Sequence, residues 1–481
     1  MNKKNILYNT LLQVSQLLFP LITFPYAARV LQPTSIGAVS FASNFTQYFL
    51  TFALLGIPIY GIREIAKVHD DEILLKKTFS ELFYFNLITT AIISFLFLLT
   101  IIIVPILKSD LTLFLIGFGI IWANLFFIEW YFNGSQEFKY ITIRSLIIRS
   151  FSVILIFTLI KKPEDKNLYY LIELVVLVLS SACNFSKARH LLTFRLNTLN
   201  LRKHITPILT LFSLSVMITI YVYANSIILG FYRAKDEVAY YTTSEKISKL
   251  SIAFVKTAGI VLLPQLSILL NKKSEIHFKQ AISLLNKSFY YTTFLSIPIS
   301  FGVFVFSREL IQIIAGQDYL NANISLKILS PLPILLGLAF IYSRQILFPL
   351  GKERQMFKLS IWGMIFNVLT NIFLIPKYGY IGSSISYLLT ELLMLLLVYF
   401  ESIKHLKLNI NIQEPIINTL ICLSFFPIHN IIYHFNSKPF IVLMIGIVLC
   451  TGIYAVLQLR VLKNKIAIEI YNFAVLKILK K

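Results

Sequence analysis

The stretch VAYYTTSEKISKLSIAFVKTAGIVLLP, Val238 to Pro264, is an apolar segment with four charged side chains set into it: Glu245, Lys246, Lys249 and Lys256. On a helix advancing 100° per residue, Glu245, Lys249 and Lys256 fall within about 40° of one another, and Lys246 stands roughly 60° to 100° away. A largely cationic stripe therefore runs along an apolar helix. An ionised lysine near a bilayer centre costs about 2.5 to 3.5 kcal/mol on insertion scales, so such a stripe is expected to face water, an anion or a partner. A membrane segment starting later, at Ser251, would leave Glu245 to Lys249 among headgroups. Lys256 stays inside the apolar run on either reading, with snorkelling to an interface as its alternative.

The composition says what kind of molecule holds this segment. Of 481 residues, 57% are hydrophobic and 14% charged, with a mean hydropathy of +0.76, far outside the range of soluble globular chains. The apolar segments are about 18 to 25 residues long, enough to cross a hydrocarbon core as helices and unlike the ten-residue alternation of a membrane barrel. The formal net charge of +22 sits in loops between these segments, which argues against nucleic acid as a partner. Cys183, Cys422 and Cys450 lie in apolar segments without CxxC spacing and read as packing residues, and the histidines show no metal-ligand spacing. Neither a metal site nor a bound cofactor is expected.

Outward from Val238, apolar segments fall near 6–30, 37–60, 80–105, 111–132, 142–160, 168–185, 206–230, 238–263, 288–307, 325–349, 357–376, 379–401, 414–434 and 439–459. They are read as fourteen transmembrane helices. Lys3 and Lys4 precede the first, but it is too long for a signal-peptide core and many spans follow, so it is taken as a helix that Pro20 and Pro25 allow to bend. An even count puts both termini on one side. Of the 44 Lys and Arg, 30 fall on that side, 11 opposite and 3 within the eighth span, so both termini are expected in the cytoplasm.

The basic loop SKARHLLTFRLNTLNLRKH, Ser186 to His204, reads as a linker between halves. The expected organisation is an N-terminal lobe over 1–185, the linker over 186–205, a C-terminal lobe over 206–402, and a last helix pair with a basic tail over 403–481. Six spans per half would make the repeats parallel, with a cleft between them. The tail from Arg460 reads either as an amphipathic helix on the inner membrane surface or as a basic stop.

Polar groups inside apolar spans are the candidate site. Arg29 closes the first span, Arg149 lies early in the fifth and Arg344 late in the tenth; near a span end each could instead reach headgroups. Together with the lysine stripe they suit an acidic or phosphorylated ligand, because buried cations demand anionic partners. Glu391, in the middle of the twelfth span, either binds a coupling proton or cation or neutralises a neighbouring Lys or Arg. Glu129 and Glu173, nearer span ends, are weaker candidates. Asn367 and Asn371, one turn apart, either meet sugar hydroxyls or join helices. There is no GxxxxGK[ST] loop and no DxD pair, and the largest expected outer connection, Arg308 to Lys327, is short. Transport is favoured over catalysis.

An ordered set of segments, FPYAARVLQPTSIGAVSFA (Phe24 to Ala42), GIREIAK (Gly61 to Lys67), EWYFNGSQEFKYITIRS (Glu129 to Ser145), VAYYTTSEKISKL (Val238 to Leu250) and PKYGYIGSSISYLLTE (Pro376 to Glu391), resembles the Wzx-type flippases of bacterial polysaccharide biosynthesis, in the multidrug/oligosaccharidyl-lipid/polysaccharide exporter superfamily. The resemblance covers about the first 400 residues. It implies an all-α polytopic membrane protein with the MATE-like fold: two six-helix lobes around a central cavity, plus a C-terminal helix pair, in the bacterial cytoplasmic membrane. It also implies that undecaprenyl-diphosphate-linked oligosaccharide, such as an O-antigen repeat unit, moves from the cytoplasmic to the outer leaflet, alongside other polysaccharide assembly proteins. Cationic cavity residues would hold the diphosphate. Arg29 and Lys246 or Lys249 match motif positions, whereas Arg344 and Lys256 come from the charge reading. An H⁺ or Na⁺ gradient, acting through Glu391, is the expected drive if transport is coupled. The rival readings are a cation or multidrug antiporter of the same superfamily and a membrane glycan polymerase or ligase.

Overall fold

The structure is a computed structural model that describes residues 3–193, 199–260, 262–271, 274–464, 466–469 and 471–472. Every regular element among the described residues is helical. In a bilayer this satisfies backbone donors and acceptors that meet no water. Compactness divides the chain into two units, Met1–Ala239 and Tyr240–Lys481.

The first unit holds α1 (Lys3–Leu54), α2 (Ile57–Val68), α3 (Glu72–Ile103), α4 (Pro105–Lys108), α5 (Leu111–Leu125), α6 (Glu129–Gly134), α7 (Phe138–Leu159), α8 (Lys166–Ala188) and α9 (Arg202–Tyr232). α1 covers the first two expected spans, divided at Gln32, where the backbone turns out of the helix at φ 61°, ψ 169°. Pro33 contributes to this: its ring disfavours helical angles at the preceding residue, and it has no N–H for the ladder. The break falls there rather than at Pro20 or Pro25, which sit inside the helix.

Two expected spans stop short of their hydropathy limits. The second ends at Leu54, where Gly56 takes φ +81° and starts α2. The fourth ends at Leu125, and Ile128 at φ 30° turns the chain into α6. These two short helices pack together, Gly61 against the Trp130 ring and Gly134 against Ile65. Phe79, Phe83 and Tyr131 complete a buried aromatic core beside them.

The linker expected over 186–205 is fastened to this unit. Residues 194–198 lie outside the described residues, but on either side the chain is held by α3. Ser80 accepts from Thr193 N at 2.9 Å, and Glu81, fully buried, accepts from Asn200 N at 2.9 Å and pairs with Lys203 at 2.6 Å and His204 at 3.0 Å. Tyr60 meets the other ring nitrogen of His204 at 2.9 Å. Burial pushes the His204 imidazole below its ordinary value of 6.5, against the pull of Glu81.

α10 (Lys235–Ile260) leads into the second unit, which contains α11 (Leu263–Asn271), α12 (Glu275–Val305), α13 (Ser307–Ile314), α14 (Ala322–Leu329), α15 (Leu332–Phe340), α16 (Glu353–Ile403), α17 (Gln413–Cys422), α18 (Phe425–Phe435) and α19 (Pro439–Val456). α16 covers the eleventh and twelfth expected spans as a hairpin bent at Gly379, whose φ 54°, ψ −132° is open only to glycine. Of the basic tail, residues 466–469 are helical and Glu469 pairs with Lys287 at 2.7 Å; residues 473–481 lie outside the described residues.

Among the described residues, ten helical stretches are long and apolar enough to cross a membrane. Two of them, Leu7–Val68 and Glu353–Ile403, each contain two expected spans, so the ten account for twelve of the fourteen. The other two correspond to α9 and α10. α10 is a continuous helix whose charges keep it below the hydropathy of its neighbours. Fourteen is thus a sequence count; ten is what length and composition in the structure deliver.

Candidate functional site

The charged stripe of α10 is real as a helix face, and it carries its own counter-charge. Lys249 Nζ lies 2.9 Å from Glu245 Oε1, one turn away. Glu245 is 7% exposed, whereas Lys246 and Lys249 are exposed. The helix therefore buries the carboxylate and presents the ammonium groups outward. Ser244 anchors this turn by donating to Ala322 O of α14 at 2.9 Å.

Two turns further on, Lys256 is half-buried and lies within electrostatic reach of both Glu391 and Arg344. Three residues singled out separately in the sequence are thus brought together in the second unit. The backbone explains how. α10 comes close to the segment Ile341–Leu347 because Gly259 has no side chain, and a Cβ there would sit 2.9 Å from Gln345 Nε2. Gln345, fully buried, uses that nitrogen to donate to Gly259 O at 2.9 Å. Ile341–Leu347 is wound wider than an α-helix, Phe348 N bonding Ser343 O at 2.9 Å and Lys352 N bonding Leu347 O at 3.0 Å, each five residues back. Such a wide turn shifts the side chains that follow it by part of a turn. Arg344, at its centre, is exposed with its guanidinium 5.7 Å from the Phe348 ring.

Glu391, 3% exposed, sits on the returning limb of the α16 hairpin. Beside it, Asn367 donates to Thr390 Oγ1 at 3.0 Å, Thr370 meets Ser386 at 2.6 Å, and Asn371 donates to Asn367 Oδ1 at 3.0 Å. The first two bonds tie one limb to the other, and the third lies within the first limb. Asn367 and Asn371 are both fully buried; Asn367 bonds across to Thr390 and Asn371 bonds to Asn367 on its own limb.

Arg29 lies in the first unit, exposed, three residues before the bend at Gln32. The same unit holds a cluster that sequence reasoning scattered. A cavity of about 330 Å³ is walled by α1, α5, α6, α7 and α8, with Gln16, Gln47, Asn124, Glu129, Arg149 and Glu173 on its lining. Arg144, 7% exposed, also lines it and donates to Glu129 Oε1 at 3.0 Å and Ser145 Oγ at 2.8 Å. Arg149 lies within electrostatic reach of both Glu129 and Arg144. Glu129, Arg149 and Glu173 were visible singly; Arg144 was not singled out, because by position it reads as one more basic residue near a cytoplasmic loop. Its signal was the spacing to Arg149, five residues on, which places two arginines within an apolar helix.

No group of three or more His, Cys, Asp or Glu able to hold a metal occurs among the described residues. Cys422 and Cys450 are buried packing residues, but Cys183 is exposed on α8.

Comparison with known proteins fits this architecture. The family model described as polysaccharide biosynthesis protein matches residues 3–270. A putative O-antigen transporter of Escherichia coli (strain K12) is 24% identical over 398 residues, covering 82% of this chain and 94% of its own, and one of Shigella dysenteriae is 27% identical over 402 residues, covering 82% and 98%. A probable low-salt glycan biosynthesis flippase, Agl15 of Haloferax volcanii, is 25% identical over 166 residues, 34% of each chain. Among solved structures, the lipid II flippase MurJ in an inward closed conformation superposes with a TM-score of 0.65 at 17% identity, over 93% of this chain and 100% of that one. An inward-facing MATE family multidrug transporter superposes with a TM-score of 0.61 at 13% identity, over 81% and 94%. The all-helical fold is therefore that of the MurJ and MATE structures, and with more than half its length matched by the family model, this chain belongs to the polysaccharide biosynthesis protein family.

Proposed function

We propose that the chain is a flippase that moves an undecaprenyl-diphosphate-linked oligosaccharide from the cytoplasmic to the outer leaflet of the bacterial cytoplasmic membrane, with both termini in the cytoplasm. A glycan and a diphosphate cannot cross hydrocarbon unaided, since desolvating either costs far more than one protein contact returns. A wet path lined by cations removes that penalty while the polyprenyl tail stays in lipid. The observation that carries the reading is Lys256, half-buried on α10 and within electrostatic reach of the buried Glu391, a cation set among packed helices, with the exposed Arg344 near it. Lys246 and Lys249, outward on the same helix, extend that path, and Arg29 contributes from the first lobe. Rocking of the two lobes gives alternating exposure, and Glu391 is the group assigned to coupling with a proton or sodium gradient. The relatives that cover most of the chain bear the names of O-antigen transporters, which supports this reading over the drug antiporter and over the glycan polymerase or ligase.

The test is leaflet translocation of a lipid-diphosphate oligosaccharide in proteoliposomes, for wild type, Lys249→Ala, Lys256→Ala and Glu391→Gln at matched insertion. Wild type should move the lipid and the lysine variants should not, with the Glu391→Gln loss confined to conditions with an ion gradient. A wild type that moves organic cations but no such lipid overturns the reading.

A further inference from the structure

The cavity in the first unit stands apart from the residues just assigned to the lipid path. It has two arginines and two carboxylates on its wall, and its position is set by helix depth. Arg144 lies six residues into α7, about 9 Å along the axis, and Arg149 about 16 Å along it, while Glu173 lies about 10 Å from the start of α8. Three full charges at such depths, with Glu129 of α6 beside them on the same wall, are not packing residues.

Arg144 also has a second surroundings. It forms part of the wall of a crevice of about 940 Å³ between α7 and α8, whose other residues include Glu137, Lys139, Tyr140, Cys183 and Lys187. Lys139, Cys183 and Lys187 are exposed there, Lys187 pairs with Glu137, and its ammonium lies 4.1 Å from the Tyr140 ring. One guanidinium thus separates an internal polar cavity from an exposed crevice. Its Nη2 is bonded to Glu129 and Ser145, but Nε and Nη1 are buried without a hydrogen-bond partner, the Phe127 ring lying 5.2 Å from Cζ. Two nitrogens of a buried arginine left without acceptors are costly and mark a group with somewhere else to go.

The charges on the cavity wall say what could enter. With Glu129 and Glu173 ionised they cancel Arg144 and Arg149, so the cavity favours neither a bulky cation nor an anion. A proton is different. It changes the charge without needing space, and the arginines keep theirs at all accessible pH. We propose that Glu129 is a proton-binding site and Arg144 its responding group. A proton from the aqueous phase bonds to a Glu129 carboxylate oxygen, the ion pair to Arg144 is lost, and the guanidinium turns into the crevice toward Glu137. The charged groups that bear on Glu129 are Arg144 and Arg149 on α7, and Glu173 on α8 lines the same cavity. α1 and α5 offer only amides, and on α2, packed behind α6, Arg63 and Lys67 are paired with Glu64. The site stands without the flippase reading; only its use, driving or timing lipid transfer, rests on it.

Cys183 reports on the crevice directly. With Cys422→Ala and Cys450→Ala it becomes the only thiol of a chain that has three cysteines. The ratio of its modification rates by an anionic and a cationic thiosulfonate of equal size cancels thiol ionisation and steric access, leaving local charge. Arrival of one cation should raise this ratio about threefold after screening, from about pH 8 to about pH 5, in the purified full-length protein without substrate. Glu129→Gln should hold the ratio at its acid value at every pH. Glu137→Gln, on the exposed wall, should flatten the profile should Glu129→Gln fail to fold. A flat wild-type profile overturns the proposal. So does a Glu129→Gln or Glu137→Gln variant that keeps the wild-type profile, the outcome expected if His190, just beyond α8, were the titrating group. No lipid is transported in this measurement, so its failure leaves the flippase reading untouched, and a failure of flipping leaves this site untouched.

Discussion

Lys249→Ala and the double variant Glu245→Gln/Lys249→Ala should differ in stability but not in transport. In the single variant Glu245, 7% exposed, keeps its charge and loses the ammonium 2.9 Å away. Breaking a buried ion pair from one side costs about 3 to 5 kcal/mol. Here the Lys249 side chain is 46% exposed, so water screens the pair and the expected cost falls to about 2 kcal/mol. The double variant removes both charges and forfeits only a one-turn helix pair, about 0.5 kcal/mol. The difference, about 1.5 kcal/mol, is the cost of leaving Glu245 charged and unpaired, and completing the cycle with Glu245→Gln isolates the coupling of the pair. Denaturant unfolding in detergent measures it, and flipping in proteoliposomes supplies the second axis. If Lys249 is a substrate contact, both variants lose flipping while Glu245→Gln alone keeps it. Recovery of flipping in the double variant would show that the lysine acts only through Glu245. Equal stability of single and double variants would refute the ion-pair energetics.

Other parts of the structure predict as sharply. Gly379→Ala forces a side chain into φ 54°, ψ −132° and should cost about 1 to 3 kcal/mol, read as lost membrane insertion or a lowered unfolding midpoint. Asn367→Ala removes the bond to Thr390 across the hairpin and should cost about 1 kcal/mol without changing which glycan is moved; a changed glycan preference at unchanged stability would make Asn367 a sugar contact. His204 is held below its ordinary 6.5 by burial, so the unfolded linker binds the proton more readily than the docked one. Linker docking is then fully stable above about pH 6.5 and weakens as the pH falls below it, and limited proteolysis near Asn200 should speed up in acid. Glu81→Gln should give the same fast cleavage at neutral pH.

Hydropathy is a property of one segment at a time, and what depends on one segment was legible. The spans, the break near residue 32 and the α16 hairpin all follow from apolar length, a proline or a glycine. The limits that failed, at Leu54 and Leu125, failed because the chain stays apolar after the helix ends: Ile57 and Ile128 leave the span to pack with Trp130 and Ile65. The wide turn at Ile341–Leu347 had no signal in its own segment, and the partner it meets there, Gly259 bonded by Gln345, lies on another helix.

Charge behaves differently, because its meaning is set by what lies across from it. Glu245 and Lys249 are one turn apart on one helix, so their pairing could be read from spacing, and the stripe is a pair plus outward cations rather than a row of equals. Lys256 and Glu391 come from helices more than a hundred residues apart, and only their shared improbability in apolar surroundings suggested that they meet. Arg144 shows where this reasoning stops. Counted with the loop charges, it supports the topology; seen between Glu129 and the α7–α8 crevice, it is a buried cation with two nitrogens to spare. The same residue serves both descriptions, because a positive charge one and a half turns from the N-terminal end of α7, the end expected on the cytoplasmic side, satisfies the orientation bias wherever its side chain points. Orientation statistics constrain the backbone, and the chemistry of the guanidinium is decided by the neighbouring helices that the backbone brings to it.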